Sequence, residues 1–281
     1  MNITRRDFVK DSTRAGLALG SAAAIGSVAA GSQREKSSAA DRSIPIVDTH
    51  QHMWDLKKIH PPWLKPGGEL TRDYVTADYL AATRGLNVVK AVYMEVAVAD
   101  EDLQKEAELV IELCRRDDNP TCAAVIGGRP ADDAFGPYMA QFKDSPYIKG
   151  IRQIVRGGLE GLLSDDKFIA GVQLLGELGM SFDLCTDPKL LAEGAKLVDR
   201  CPDTRFILDH CGNADPNQFG PHASEAGRRS AEVWKRGVAA IAKRPNIVCK
   251  ISGIVARMTK GQWTPDDLAP VVNHCLEEFG P

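Results

Sequence analysis

The sequence has no excess of basic residues, no long apolar run beyond its first thirty residues and no paired cysteine motif. Its formal net charge of -3 leaves no basic face of the kind that neutralises nucleic-acid phosphates. The absence of about eighteen consecutive apolar residues in the body of the chain excludes a membrane-spanning helix there. Seven cysteines without a C-x-x-C pair give no support to a disulfide scaffold, a zinc ribbon or a thioredoxin-type site. The 43% of hydrophobic residues in the 281-residue chain is typical of a globular domain with a sizeable core.

The first thirty residues have the composition of a transport signal. Arg5 and Arg6 stand before an apolar residue and Lys10, and a small, weakly hydrophobic stretch follows over 15–30. This pattern predicts a twin-arginine signal peptide over 1–30, with the twin-arginine export machinery as a partner and the periplasm as the destination. The alternative interpretation is an amphipathic N-terminal helix. The polar, small residues of 31–43 predict a flexible linker, so the folded domain is expected over 44–281.

From Ile44 onward, short apolar runs alternate with longer amphipathic ones. This alternation predicts a parallel sheet, and its spacing of about thirty residues favours a (β/α)8 TIM-like barrel over an open doubly wound sheet. No G-x-G-x-x-G motif follows an early strand, which argues against dinucleotide binding. The predicted strands are Ile46–Thr49, Val88–Val96, Thr121–Ile126, Ile148–Ile154, Met180–Cys185, Arg205–Asp209 and Asn246–Ile251. The predicted helices include Asp102–Arg115, Lys167–Leu178, Leu190–Arg200, Ser224–Ala242 and Asp266–Phe279.

Only seven βα units are present, although a barrel of this type has eight. The seventh unit ends in a helix followed by Gly280 and Pro281, a pair that stops a helix before another strand begins. We therefore expect the barrel to be C-terminally incomplete in this sequence.

Histidines and charged residues cluster at the predicted carboxyl ends of strands, where barrel enzymes place their active sites. Asp48, His50 and His52 alternate along the first strand and therefore share one of its faces. His210 follows the sixth strand, where it could join the pair as a third imidazole. Two histidines in a surface loop are the structural alternative for the first-strand pair.

Further charged residues follow other strands. Arg152, on the fourth strand, suits recognition of a carboxylate or a carbonyl group. Glu95 ends the second strand, where it could orient Arg152, act on protons or be solvated. Lys250 closes the seventh strand, either as a cation of the site or in a buried ion pair. Asp183 is a charge inside an apolar strand and needs a partner.

Five segments in order resemble the amidohydrolase-related (amidohydrolase 2) family, in particular its sugar-lactonase and dicarboxylate-lactonase branch. They are Asp48-Thr49-His50-Gln51-His52, Gly150-Ile151-Arg152-Gln153, Ser181-Phe182-Asp183-Leu184, Leu208-Asp209-His210-Cys211-Gly212 and Lys250-Ile251-Ser252-Gly253. The resemblance implies a distorted (β/α)8 barrel, with His50, His52 and His210 as catalytic and metal-binding residues. It also implies that Arg152 orients the substrate, and we place Glu95 and Lys250 beside it as substrate-binding residues.

The sequence departs from the family pattern at three strand ends. No bridging lysine ends the fourth strand, and the fifth ends in Leu184-Cys185-Thr186 without a histidine. A single divalent metal ion, zinc first among the candidates, or a metal-independent site is therefore expected rather than a binuclear centre. The family's eighth strand delivers an aspartate that handles the proton of the attacking water, and this sequence stops before that segment.

These expectations predict an exported hydrolase that opens a cyclic ester, a sugar lactone or a carboxylated lactone. A metal-dependent, non-oxidative decarboxylase of the same superfamily is the second interpretation. The third is a non-catalytic barrel that binds a carbohydrate.

Overall fold

The computed structural model describes residues 44–259 and 261–280; the predicted signal peptide and linker lie outside these residues. Every strand and helix predicted above is present, with ends that differ by at most two residues. The strands are β1 (Ile46–Gln51), β2 (Val88–Met94), β3 (Thr121–Gly127), β4 (Ile148–Val155), β5 (Ser181–Thr186), β6 (Arg205–Leu208) and β7 (Ile247–Cys249). The α-helices of six or more residues are α1 (Thr76–Ala82), α2 (Leu103–Arg115), α3 (Phe135–Ala140), α4 (Asp166–Glu177), α5 (Leu191–Arg200), α6 (Glu225–Ile241) and α7 (Pro265–Phe279).

The seven strands form one parallel sheet in which each strand pairs with its neighbours in sequence order. The sheet is strongly curled. In a flat sheet, the ends of β1 and β6 would lie about 24 Å apart, because neighbouring strands are about 4.8 Å apart. Instead, the ring centroids of His50 in β1 and His210 after β6 are 4.5 Å apart. The predicted barrel architecture is confirmed, with seven of its eight strands present in the described residues.

Strands β1 and β7 form the two edges of the curled sheet. Within the described residues, each pairs with one neighbour only, and a cavity of about 460 Å³ separates them. Val47 and Val248 are 51% and 62% exposed on these edges, whereas the interior strand β5 is buried along its whole length. The open seam therefore runs directly beside His50 and Lys250, which both line the cavity.

Local sequence explains where the surrounding helices begin. The side chains of Asp165 and Ser224 accept hydrogen bonds from the main-chain N–H groups of Phe168 and Gly227 at the starts of α4 and α6. Thr264 and Asp267 form a capping box at the start of α7. Two shorter helices, α1 and α3, were not predicted, because seven and six residues carry too few periodic apolar positions to reveal a helix.

The core lies between the sheet and these helices. Phe168 of α4 packs edge-on against Phe182 of β5, which in turn packs against Phe206 of β6, and all three are at most 1% exposed. Such burial of large side chains supplies most of the driving force for folding. None of the helices in the described residues is long and apolar enough to cross a membrane.

Candidate active site

The three predicted histidines lie together at the carboxyl end of the sheet. The ring centroid of His50 is 4.8 Å from that of His52 and 4.5 Å from that of His210. The first pair is close because alternate side chains of a strand share a face. His210 joins them only because the sheet curls, since 157 residues of intervening chain separate it from His52.

His210 begins a turn of unusual backbone geometry. His210, Cys211 and Asn213 have φ angles of 53°, 53° and 57°, and Gly212 lies between them at 62°. Non-glycine residues in this left-handed region are strained, so surrounding contacts must hold the turn. The main-chain N–H of Cys211 donates to the carbonyl oxygen of Lys250 at 2.9 Å, and the Asn213 amide donates to Thr186.

The His210 ring is fixed from the β7 side. Its Nδ1 lies 3.0 Å from the hydroxyl oxygen of Ser252. Gly253, with a φ of 69°, packs so closely that an added Cβ would lie 2.4 Å from the same nitrogen. The Lys250-Ile251-Ser252-Gly253 segment therefore supports the histidine as well as supplying a cation.

Asp209 is the central carboxylate of the site, a role that is not among those predicted from the sequence. It is fully buried, and its Oδ2 lies 3.2 Å from Nη1 of Arg152. Its Oδ1 lies 3.3 Å from Nζ of Lys250 and 3.8 Å from Nδ1 of His50. The available signal was its position: a charged residue that directly follows an apolar strand and precedes His210 requires partners.

Arg152 is held by Glu95. Its Nε donates to Glu95 Oε1 at 2.6 Å, and its Nη2 donates to the Glu95 carbonyl oxygen at 2.8 Å. Nη1 faces Asp209 and, at 3.4 Å, Nε2 of His50. Four of the five guanidinium N–H groups therefore have neighbours in the structure. Burial lowers the pKa of Arg152, but the charges of Glu95 and Asp209, together with the Glu95 hydrogen bond, outweigh this effect. The pKa is therefore raised, and the guanidinium stays charged.

Lys250 is the more accessible of the two cations. Its side chain is 18% exposed, and its Nζ donates to Asp183 Oδ2 at 2.8 Å. Burial, followed by the charge of Asp209, raises the pKa of Asp183 to about 6. Asp183, the charged residue inside β5 that was predicted to need a partner, is therefore paired with Lys250.

His50, Asp209 and His210 could hold a metal ion. One potential ligand atom of each lies within 4.8 Å of the others. Among the described residues, the buried His50 Nδ1 and Asp209 Oδ1 have no partner with hydrogen-bond geometry, so both atoms remain able to bind a cation. Burial, together with His52 and Arg152, lowers the pKa of His50 to about 2, which leaves the neutral imidazole that metals require.

His52 is placed differently from the other two histidines. Its Nδ1 lies 3.0 Å from the carbonyl oxygen of Met94, so Nε2 is the ring nitrogen left for a ligand. The structure brings its ring beside His50 but groups Asp209, rather than His52, with the other two potential ligands.

Comparison with known proteins gives the family. A family model described as amidohydrolase matches residues 47–281, and the chain belongs to the amidohydrolase family. The chain is 25% identical over 248 residues to L-fucono-1,5-lactonase from Burkholderia multivorans, with 84% of this chain and 78% of that protein covered. The resemblance drawn from the five sequence segments is therefore confirmed.

Solved structures share the fold at low sequence identity. An amidohydrolase from Burkholderia multivorans with bound zinc has a TM-score of 0.69 at 22% identity, covering 84% of this chain and 80% of that one. A 5-carboxyvanillate decarboxylase from Novosphingobium aromaticivorans, complexed with manganese, has a TM-score of 0.55 at 13% identity, covering 85% of this chain and 84% of that one. The barrel thus occurs in relatives with divalent metals and with different reactions.

Proposed function

We propose that this protein is a metal-dependent hydrolase that opens a cyclic ester, a sugar lactone or a carboxylated lactone. The observation that carries the proposal is the meeting of His50, Asp209 and His210 beside the two cations Arg152 and Lys250. The lactonase relative supports the choice of a lactone. Lactone hydrolysis adds water across the bond between the acyl carbon and the ring oxygen, and one hydroxy acid leaves.

A single divalent cation, zinc by preference, fits the donor set of His50, Asp209 and His210. Two imidazole nitrogens and a carboxylate oxygen are ligands that zinc accepts, and three protein ligands are typical of a catalytic site with an open position. When bound, such an ion polarises the ester carbonyl and lowers the pKa of a water molecule towards about 7.

The chain's own charged residues bind and orient the substrate in this proposal. Lys250 is accessible enough to meet a hydroxyl or carboxylate of the lactone, while Asp183 holds its ammonium group in place. Arg152 is rigidly fixed by Glu95 and contributes positive charge where the ester oxygen becomes negative during attack. His52, whose Nδ1 is held by the Met94 carbonyl oxygen, lies beside His50 in the histidine cluster.

The test is hydrolysis of L-fucono-1,5-lactone by the full chain loaded with zinc, followed as acid release and corrected for spontaneous ring opening. We expect His50→Ala and His210→Ala to lower kcat/KM by orders of magnitude. His222→Ala is the matched control, because this histidine lies exposed in a loop and should leave the rate unchanged. Equal kcat/KM in all four proteins would refute the assignment.

A second candidate reaction is non-oxidative decarboxylation, which the manganese-bound fold relative favours. Here an aromatic carboxylate loses carbon dioxide and takes up a proton at the same carbon. Measurement of carbon dioxide released from hydroxylated aromatic carboxylates by the zinc- or manganese-loaded protein separates the two reactions. Carbon dioxide release without lactone hydrolysis would replace the first proposal by the second.

A further inference from the structure

A buried glutamate lies just outside the site described above. Glu106 is on the sheet-facing side of α2, together with Ala107 and Val110, and it is fully buried. A buried carboxyl group is unfavourable unless several hydrogen bonds replace its water. Neither the histidine cluster nor the ion pairs of the proposed mechanism use this residue.

Glu106 ties helix α2 to the ends of two strands. Its Oε1 accepts hydrogen bonds from the Tyr93 hydroxyl and from the main-chain N–H of Val96, both at 3.0 Å. Its Oε2 accepts one from the main-chain N–H of Gly127 at 3.0 Å. One side chain thus fixes the carboxyl ends of β2 and β3, where the active-site face of the sheet begins.

The turn that Glu106 binds is strained. Ala97 has a left-handed φ of 49°, which a non-glycine residue adopts only when other contacts compensate. Its main-chain N–H donates to Glu95 Oε2 at 2.5 Å. On the other side of the Val96 peptide group, the indole N–H of Trp63 donates to the Val96 carbonyl oxygen at 2.6 Å. Glu106 and Trp63, from two other parts of the chain, therefore hold residues 95–97 together with the side chain of Glu95.

The orientation of Arg152 depends on this turn. Glu95 binds the guanidinium with both its side chain and its main-chain carbonyl oxygen, so a shift of residue 95 moves two of the hydrogen bonds that fix Arg152. The carboxylates of Glu106 and Glu95 are also neighbours, since one oxygen of each lies within 4 Å of the point that a Gly127 Cβ would occupy. A continuous series of contacts therefore connects Glu106 of α2, through the 95–97 turn, with the guanidinium of Arg152.

We propose that Glu106 is a positioning residue of this enzyme, which holds the 95–97 turn so that Glu95 keeps Arg152 aligned with His50 and Asp209. The catalytic part of this inference rests on the proposed hydrolytic function, and the structural part does not. Burial and the neighbouring charge of Glu95 raise the pKa of Glu106 to about 7. The other titratable groups that face it are Tyr93, which donates to it, and Tyr138 of α3.

Two substitutions separate positioning from simple packing. Glu106→Gln keeps an oxygen for Tyr93 and Val96 but turns an amide N–H towards the N–H of Gly127. Glu106→Ala removes all three acceptor contacts. Glu112→Gln is the matched control, because it changes the same residue type on an exposed position of the same helix.

The first measurement is kinetic. We expect kcat for lactone hydrolysis to fall about 100-fold in Glu106→Ala, as misplacement of a catalytic group by about 1 Å can do, with KM changed much less. Glu106→Gln should lie between that variant and the wild type, and Glu112→Gln should equal the wild type. Rates that fall only in proportion to the folded fraction would show a merely structural residue and overturn the proposal.

The second measurement is independent of the substrate. Amide hydrogen exchange should accelerate at Val96 and Gly127 in Glu106→Ala, while Ala124, whose N–H donates to Tyr147, stays protected. The side-chain Nε–H signal of Arg152 should shift or broaden in the same variant. An unchanged Arg152 signal would refute the positioning role. If Glu106→Ala shows these changes but the wild-type protein opens no lactone, the proposed function is refuted and the positioning role stands.

Discussion

At Asp209, one buried carboxylate balances the charges of Arg152 and Lys250 and faces the His50 ring. Replacement of Asp209 would leave Arg152 with Glu95 and Lys250 with Asp183 only, and such a loss of compensating charge away from water is more harmful than loss of a surface pair. The two oxygen atoms of Asp209 that bind these cations therefore also face the site where we propose that the metal ion binds.

We expect Asp209→Asn to lower the free energy of unfolding by about 3–5 kcal/mol and to weaken zinc binding. Asp199→Asn is the control, because Asp199 pairs with Arg244 on the surface and should lose no more than about 1 kcal/mol. Urea unfolding gives the first quantity and titration calorimetry with zinc the second. Equal losses of stability in the two variants would contradict the central role of Asp209.

Glu106 should make stability depend on pH. Its pKa of about 7 in the folded protein exceeds the ordinary value of 4.5, so between these limits the folded state binds more protons than the unfolded state. Its contribution to stability is thus fully present below about pH 4.5 and is lost as pH rises towards 7, by up to about 3 kcal/mol.

The difference between wild type and Glu106→Gln isolates this contribution from that of other titrating groups. In urea unfolding, the free energy of unfolding of the wild type relative to Glu106→Gln should fall by up to about 3 kcal/mol from pH 5 to 8. The difference between the wild type and Glu112→Gln should stay constant. A constant gap for Glu106→Gln as well would show that Glu106 does not titrate in this range.

Among the secondary-structure elements, the approach of α2 to β3 depends on a missing side chain. A Cβ on Gly127 would lie 2.7 Å from Cδ2 of Leu103 and 3.1 Å from Oε2 of Glu106. The φ of Gly127 is not in the left-handed region, so the requirement for glycine is one of space rather than of backbone conformation.

Gly127→Ala should therefore lower the free energy of unfolding by about 1–3 kcal/mol, the usual effect of overpacking. Gly136→Ala in α3 is the control: its new methyl group would meet Leu174 at 3.9 Å, an ordinary contact, and alanine favours helix. Thermal or urea unfolding compares them. A Gly127→Ala protein as stable as Gly136→Ala would mean that α2 shifts freely away from the sheet.

The elements themselves were largely predictable, because their signals are local. Apolar runs bounded by Asn119-Pro120, Gly179, Pro202 and Pro245 mark strands and helices whatever surrounds them. The turn at His210–Asn213 was not predictable, because its left-handed conformation is imposed by Lys250 and Thr186 from other strands. The contacts of Glu106 were hidden for the same reason: on α2 it is one acidic residue among several.

At the scale of the whole molecule, metal binding should stabilise the fold, because His50 and His210 come together only in the folded state. At a free zinc concentration about 100 times Kd, the free energy of unfolding should rise by about 2.7 kcal/mol. The gain should disappear in His50→Ala and persist in His222→Ala. Thermal unfolding with and without zinc measures it, and an equal rise in Tm for both variants would place the zinc elsewhere.

Export is the second property of the whole chain, and we propose that residues 1–30 direct it through the twin-arginine pathway. Replacement of Arg5 and Arg6 by lysine should keep the protein in the cytoplasm of a host that has this machinery, whereas the unaltered chain reaches the periplasm. Cell fractionation and immunoblotting decide between them. A periplasmic lysine variant would contradict the twin-arginine route.

The sequence by itself determined the alternation of strands and helices, the family and five polar strand ends, because periodicity and short motifs are carried by neighbouring residues. It also placed His50 and His52 on one face, since the geometry of a strand is fixed. Only the tertiary structure decided that Asp209 is the shared partner of two cations, and that Glu106 holds the turn behind Arg152. Those relations arise when a curled sheet brings distant strand ends within hydrogen-bonding distance, and local sequence carries no record of such distances.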